Sequence, residues 1–295
     1  MGGILVTGSG GFIGRALTAA LGGGTELHQI TDRRDLDLRN AEATKRRLAE
    51  IRPQVIIHLA ASPDAGDDQS RDLFADVHNT IACTANLLQA IPDGQRCLLI
   101  HVGSYKQYGT AALPFREDVP AQPVTAYGRA KHTAEWLVRL ASSSCSWLRT
   151  VCLRLGPVYG PGQDEGRLIP KTIRCFLNGH VDGLVVSDVG WDPIYITDAV
   201  AGILACVRHP SLDGCVINLS GGRRHSTGAI IELIAAELGL DATPPVVRRD
   251  GDQGWECVGD VTRAAALLQW RSEVGVADGV RLMIQDIASR SANGR

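Results

Sequence analysis

Several features are missing from this 295-residue chain, and most of them remove a class of function. It has no dense Lys/Arg run and its formal net charge is −2, so no nucleic-acid partner is expected, although local arginines can meet small anions. No run of ~18 consecutive apolar residues occurs, so no membrane span is expected. Its eight cysteines are scattered without a CxxC pair, and HExxH is absent, so no metal site is expected; the thiols read as buried groups of a reducing cytosol. Internal repeats and low-complexity segments are also absent. A first strand that begins by Ile4 leaves no room for the charged and apolar regions of a signal peptide, and the location expected is cytoplasmic.

What is present is the composition of a globular protein, 44% apolar and 21% charged. Short apolar runs alternate with amphipathic stretches. Strands are predicted over 4–7, 27–31, 55–59, 97–102, 148–155 and 216–219. Helices are predicted over 12–21, 41–51, 71–90, 126–141, 168–177, 197–207 and 226–238, with Ser226 placed to cap the last. The rhythm predicts an α/β fold: a Rossmann-type, doubly wound parallel sheet with a smaller C-terminal substrate-binding lobe. Residues 1–162 are expected to form the dinucleotide-binding domain. Residues 163–295 are expected to form mainly the lobe, with about 191–207 returning to the first domain. Pro244-Pro245 opens a further extended run.

Thr7-Gly8-Ser9-Gly10-Gly11-Phe12-Ile13-Gly14 stands between the first strand and the first helix. Gly8 suits the tight turn, Gly11 a close approach of backbone to a pyrophosphate, and Gly14 close packing of helix on strand. The helix start then offers free N–H groups to phosphates. Asp32 follows at the end of the second strand, near the spacing expected of a carboxylate on the adenosine ribose. Asp32 favours NAD, whereas Arg33 and Arg34 can either hold the 2′-phosphate of NADP or lie solvated in a loop. The balance leans slightly to NAD.

Tyr127 and Lys131, at i and i+4, place a phenol and an ammonium on one helix face. The ammonium favours phenolate and brings an ordinary pKa of ~10 toward a useful range. Ser104 lies in the small-residue turn into which the strand beginning at Cys97 runs, at its carboxyl end, where its hydroxyl can polarise a carbonyl.

Seven segments in order carry a resemblance: TGSGGFIG (7–14), IIHLAA (56–61), GSYKQYG (103–109), YGRAK (127–131), LRLGPVYGPG (153–162), WDPIYITDAV (191–200) and INLSGG (217–222). Together they resemble the extended short-chain dehydrogenases/reductases of the NAD-dependent epimerase/dehydratase type, which act on nucleotide sugars. The resemblance implies Tyr127 as acid/base, Lys131 as its electrostatic partner and cofactor-ribose contact, and Ser104 as carbonyl donor. It implies a cofactor cleft lined by Gly8, Gly11, Phe12, Ile13, Gly14, Asp32 and Arg33. Asp37 and Leu38 would lie beside the adenine, and Leu59, Ala60 and Ala61 along the cleft. It implies a homodimer through the helices that contain Asn79 and Tyr127.

The chain also departs from the family's patterns. Ser104-Tyr105-Lys106-Gln107 has no carboxylate where the family's 4,6-dehydratases and decarboxylases carry one, so neither reaction is expected. Lys106 and Arg167 stand where the GDP-fucose synthases place a Cys and a His. Pro157 stands where the family often has Asn. The expected reaction is therefore reduction of an NDP-4-keto-6-deoxyhexose, with an NDP-sugar 4-epimerase, a reductase of a non-sugar carbonyl and a non-catalytic dinucleotide-binding protein as alternatives. Ser104 and Tyr105 are expected at the substrate, and Arg167, Lys171 and Arg174 are candidates for its diphosphate. Trp191 and Trp255 read as core residues more readily than as stacking platforms, and His101 and His132 are assigned no role.

Overall fold

The computed structural model describes residues 3–22, 26–62, 73–179, 184–186, 189–209, 211–240, 247–248 and 256–292. Four short alternations open the chain: β1 (Ile4–Thr7), α1 (Phe12–Leu21), β2 (Leu27–Ile30), α2 (Ala41–Ile51), β3 (Val55–His58), α3 (Leu73–Ala90), β4 (Cys97–Ser104) and α4 (Ala126–Ser144). β5 (Leu148–Leu155), β6 (Val158–Tyr159), α5 (Leu168–Leu177), β7 (Val185–Val186), β8 (Gly190–Trp191), β9 (Ile194–Tyr195) and α6 (Ile196–Arg208) follow. The remainder holds β10 (Cys215–Leu219), β11 (His225–Ser226), α7 (Thr227–Glu237), β12 (Val247–Arg248), α8 (Thr262–Leu268) and α9 (Val276–Ala292).

Six strands make one sheet in the order β10-β5-β4-β3-β1-β2, every neighbour parallel. Its strands are short and apolar, as strands covered on both faces must be. Their alternation divides the core in two. Ile4, Val6, Ile57, Ile100 and Leu153 pack with Leu17 of α1 and with residues of α6, α7 and α9. Leu5, Ile56, Leu99 and Cys152 pack with Leu48 of α2, Leu87 of α3 and Val138 of α4. The fold is therefore the Rossmann-type doubly wound sheet expected.

Local chemistry sets the helix ends. Asn40 accepts from the Ala43 N–H at 3.0 Å to cap α2, and Arg52, at φ +46°, ends that helix before Pro53. Ser226 caps α7 through the Ala229 N–H at 3.0 Å, as its sequence position implied.

From the second half, α6 packs against α1, and β10 joins the sheet as an outer strand beside β5. β9 pairs with β6 rather than with the large sheet. All eight cysteines are free, but only Cys97, Cys152, Cys206 and Cys257 are buried. No described helix is long and apolar enough to cross a membrane. The extended run at 244–245 and Trp255 lie outside the described residues.

Candidate active site

The chain leaves β1 to form β2 on one side and β3 on the other, so the carboxyl ends of β1 and β3 border the topological switch point of the sheet. Gly8 lies there with φ +71°, and a Cβ on it would stand 2.8 Å from the Ala60 nitrogen. A Cβ on Gly14 would stand 2.2 Å from the Gly8 carbonyl oxygen, so only glycine lets α1 start this close to β1. Gly11 is the N-cap of α1 and offers no side-chain cap. The first N–H groups of α1 are thus aimed at the crevice without a side-chain partner, an arrangement fitted to the phosphates of a dinucleotide.

Leu59, Ala60 and Ala61 follow β3 and are half-buried. Thr7 holds them, its carbonyl accepting the Leu59 N–H at 3.1 Å and its hydroxyl the Ala60 N–H at 3.3 Å. Phe12 and Ile13 form the first turn of α1, half-buried. Past β2, the Asp32 carboxylate accepts from the Arg34 backbone N–H at 2.8 Å and from the Arg34 guanidinium at 2.5 Å. The hydrogen bonds from Arg34 hold the Asp32 carboxyl down to about 2. Asp37 is gripped in the same way by Arg39 and is likewise lowered to about 2. Arg33 is exposed, and Leu38 is buried in the core against α2 and α3. The Leu38 carbonyl accepts from Asn86 at 2.9 Å.

The end of β4 and the start of α4 are drawn together at successive turns of the helix. A Cβ on Gly128 would lie 2.3 Å from the Lys106 carbonyl oxygen, so glycine after Tyr127 lets the helix touch the turn after Ser104. One turn on, Lys131 donates to the Val102 carbonyl at 2.8 Å, and burial lowers its amine to about 8. Another turn on, Glu135 accepts from the Gln107 amide at 2.6 Å. Ser104 is half-buried, and its hydroxyl oxygen accepts from the Lys106 N–H at 3.2 Å, which leaves its hydrogen to be donated. Tyr127 is half-buried. Gly8, Ser104, Tyr127 and Lys131 therefore belong to one edge of the sheet.

One expected substrate contact is corrected. Tyr105 is 1% exposed, packs edge-on against Tyr108 and Phe115, and donates to Ser220 at 2.9 Å. It is a core residue, because the turn after Ser104 folds it inward against Gly259. Arg167, Lys171 and Arg174 lie at the start and along the outside of α5; Arg174 is ion-paired with Glu165. Trp191 packs, half-buried, on the larger core cluster.

Sequence reasoning missed Arg15, which donates to the carbonyls of Gly10 at 2.6 Å and Gly162 at 3.2 Å and so joins the glycine loop to the loop after β6. It also missed the buried pair Glu135–Arg154, 2.7 Å. The polar interruption of the apolar face of α4 at position 135 was the available signal.

A family model described as the NAD dependent epimerase/dehydratase family matches residues 4–220. This chain belongs to that family. It is an NAD(P)-dependent short-chain dehydrogenase/reductase, of a family whose members modify nucleotide sugars. A relative from Streptomyces antibioticus, named as a probable dTDP-4,6-dihydroxy-2-methyloxan-3-one 4-ketoreductase, is 30% identical over 74% of this chain and 71% of its own. The UDP-glucuronic acid 4-epimerase of Bacillus cereus, solved with UDP-glucuronic acid and NAD, is 25% identical and superposes with a TM-score of 0.84 over 97% of this chain and 99% of its own. The RMD protein of Pseudomonas aeruginosa, solved with NADPH, is 24% identical with a TM-score of 0.84 over 98% and 100%.

Proposed function

We propose that this member of the family is a 4-ketoreductase that reduces an NDP-4-keto-6-deoxyhexose. The observation that carries the reading is the turn after β4. Ser104 is followed by Tyr105, Lys106 and Gln107, of which Tyr105 and Gln107 are buried, so this turn offers no carboxylate for water elimination. Removal of a proton or of water next to the keto group needs an acid–base pair there. Carbonyl reduction needs only a hydroxyl donor and one proton source, and Ser104 and Tyr127 supply them.

Gly8, Gly11 and Gly14 with the start of α1 would hold the dinucleotide's phosphates, and Asp32 or Arg33 its adenosine ribose, NAD being favoured slightly over NADP. The bound dinucleotide supplies the hydride. Ser104 donates a hydrogen bond to the keto oxygen, and Tyr127 delivers a proton to that oxygen as the hydride arrives. Lys131, fixed by Val102, keeps a positive charge beside the phenol and lowers the cost of phenolate. Arg167, Lys171 and Arg174, at the start and along α5, would meet the diphosphate, with residues 163–295 contributing most of the substrate lobe. A homodimer through α3 and α4 is favoured by Phe74, Trp136 and Leu140, which stand exposed on these two packed helices.

A panel of nucleotide 4-keto-6-deoxy sugars, followed by NADH and NADPH absorbance, tests the reading. Consumption with one sugar supports it. Interconversion of sugar epimers with no net dinucleotide consumption identifies the 4-epimerase instead. No turnover and no titratable dinucleotide would sink both.

A further inference from the structure

We infer that Gln107 is a positioning residue for Ser104, stapling the turn that carries this serine to the helix that carries Tyr127 and Lys131. The inference rests on the assignment of Ser104 as carbonyl donor. The amide of Gln107 uses both its ends. Its Oε1 accepts the Ser104 backbone N–H at 2.8 Å, and its Nε2 donates to Glu135 at 2.6 Å. Glu135 lies two turns along α4 from Tyr127, on the same face as Lys131.

Glu135 is a fixed anchor. Arg154 of β5 grips it with two bonds, Nε at 2.9 Å and Nη2 at 2.7 Å. The guanidinium also lies 4.5 Å from the centre of the Tyr108 ring, and the Tyr108 hydroxyl donates to Asn218 at 2.7 Å. Strand, helix and turn are thus held by one buried chain of polar groups, all of them close to fully buried. Gly103 is part of the device, since a Cβ there would lie 2.2 Å from Gln107 Oε1.

The chemistry needs a group that accepts at one end and donates at the other. A glutamine does so at every pH. A carboxylic acid does so only while protonated, because its ionised form faces the Glu135 carboxylate with no hydrogen between them. A valine does neither: the Ser104 N–H loses its partner, and Glu135 Oε2 keeps only its bond from Arg154 Nε. A small shift of Ser104 relative to Tyr127 costs turnover and leaves ground-state binding almost untouched.

The test measures kcat and KM against pH for wild type, Gln107→Val and Gln107→Glu, using the substrate that wild type reduces. Gln107→Val is expected to lower kcat by about 10²-fold at every pH with KM nearly unchanged. Gln107→Glu is expected to approach wild-type kcat at acid pH and to fall away from it as pH rises. Ser104 amide hydrogen exchange, read in the same three proteins, is expected to accelerate in Gln107→Val and, at high pH only, in Gln107→Glu after correction for the intrinsic rate. If Gln107→Val does not fold, the Gln107→Glu series decides. A Gln107→Glu to wild-type kcat ratio that is flat with pH overturns the inference, as does wild-type kcat in a folded Gln107→Val. If wild type turns over no sugar, the functional reading fails by itself, and exchange rates alike in all three proteins overturn the staple separately.

Discussion

Lys131 donates to the carbonyl oxygen of Val102 at 2.8 Å, two residues before Ser104, with only 4% of the lysine exposed. The ammonium is thereby fixed on the helix face that carries Tyr127, at the expense of its own hydration. Burial takes the amine from its ordinary 10.5 to about 8.

That cost makes Lys131→Met a stabilising change in the protein without cofactor. The unfolded chain holds more protons than the folded one between about 8 and 10.5, so wild-type stability rises with pH across that window. Below it the full penalty of about 3 kcal/mol applies. Lys131→Met is expected to raise Tm at pH 7 on the order of 5 °C while abolishing turnover. The gap should close above pH 8. Calorimetry at pH 7 and pH 9.5 measures both, and a lower Tm for the variant at pH 7 contradicts the account.

Asp32 bears on cofactor choice through Arg34. With its carboxyl held down to about 2 by the Arg34 hydrogen bonds, Asp32 is an anion at any working pH and repels a 2′-phosphate. Asp32→Gly removes the repulsion and releases Arg34 to meet that phosphate. The ratio of kcat/KM for NADPH over NADH is expected to rise by about 10-fold or more, each tenfold being about 1.4 kcal/mol. An unchanged ratio would mean that Arg34 does not reach the ribose.

His58 lies between the hydroxyls of Thr7 at 2.7 Å and Thr84 at 3.1 Å, with the His101 ring 5.7 Å away. Burial and the Lys131 charge push His58 down to about 3, and they push His101 well below its usual range. Both therefore stay neutral in the fold while the unfolded chain takes up protons. Their contribution is whole above about pH 6.5 and falls as pH falls below it, that of His58 down to about 3. In His101→Phe, the slope of unfolding free energy between pH 6 and 4.5 should fall by roughly 1.4 kcal/mol per pH unit relative to wild type. Urea titrations at several pH values give that slope, and equal slopes would remove His101 from the linkage.

Arg154→Met leaves the Glu135 carboxylate buried and uncompensated, a loss of about 3–5 kcal/mol. Arg154→Lys should recover little, since a lysine does not reproduce the two-bond grip. Replacing both partners with apolar residues of similar volume should recover most of the lost stability, as removing a buried charge together with its partner usually does. Denaturant midpoints of the four proteins decide between this and a pair that contributes nothing.

The glycine loop, the Tyr127–Lys131 spacing and nearly every element of the first 177 residues were legible in the amino-acid order, because each is a local property. A strand–turn–helix junction announces itself in consecutive glycines, and a helix face in residues four apart. The strands at 4–7 and 148–155 and the helices at 12–21, 41–51 and 168–177 coincide with the bounds read from periodicity. Less was legible where contacts join distant segments. The reading of 97–102 stopped short of Ser104 because the last two residues of β4 are strand only by virtue of pairing with Arg154 and Leu155. α8 and α9 went unread for want of a strong apolar period, and they are held by packing on β10, α5 and α7.

By itself the sequence determined the fold class and the family, and it singled out the residues proposed for a dinucleotide and a carbonyl, because backbone turns and helix faces are set by neighbours along the chain. Only the tertiary structure decided that Tyr105 is core, that Arg15 ties Gly10 to Gly162, and that Gln107 meets Glu135. Those outcomes depend on which side chains the closed sheet brings within a few ångströms of one another, and no spacing along the chain encodes that distance.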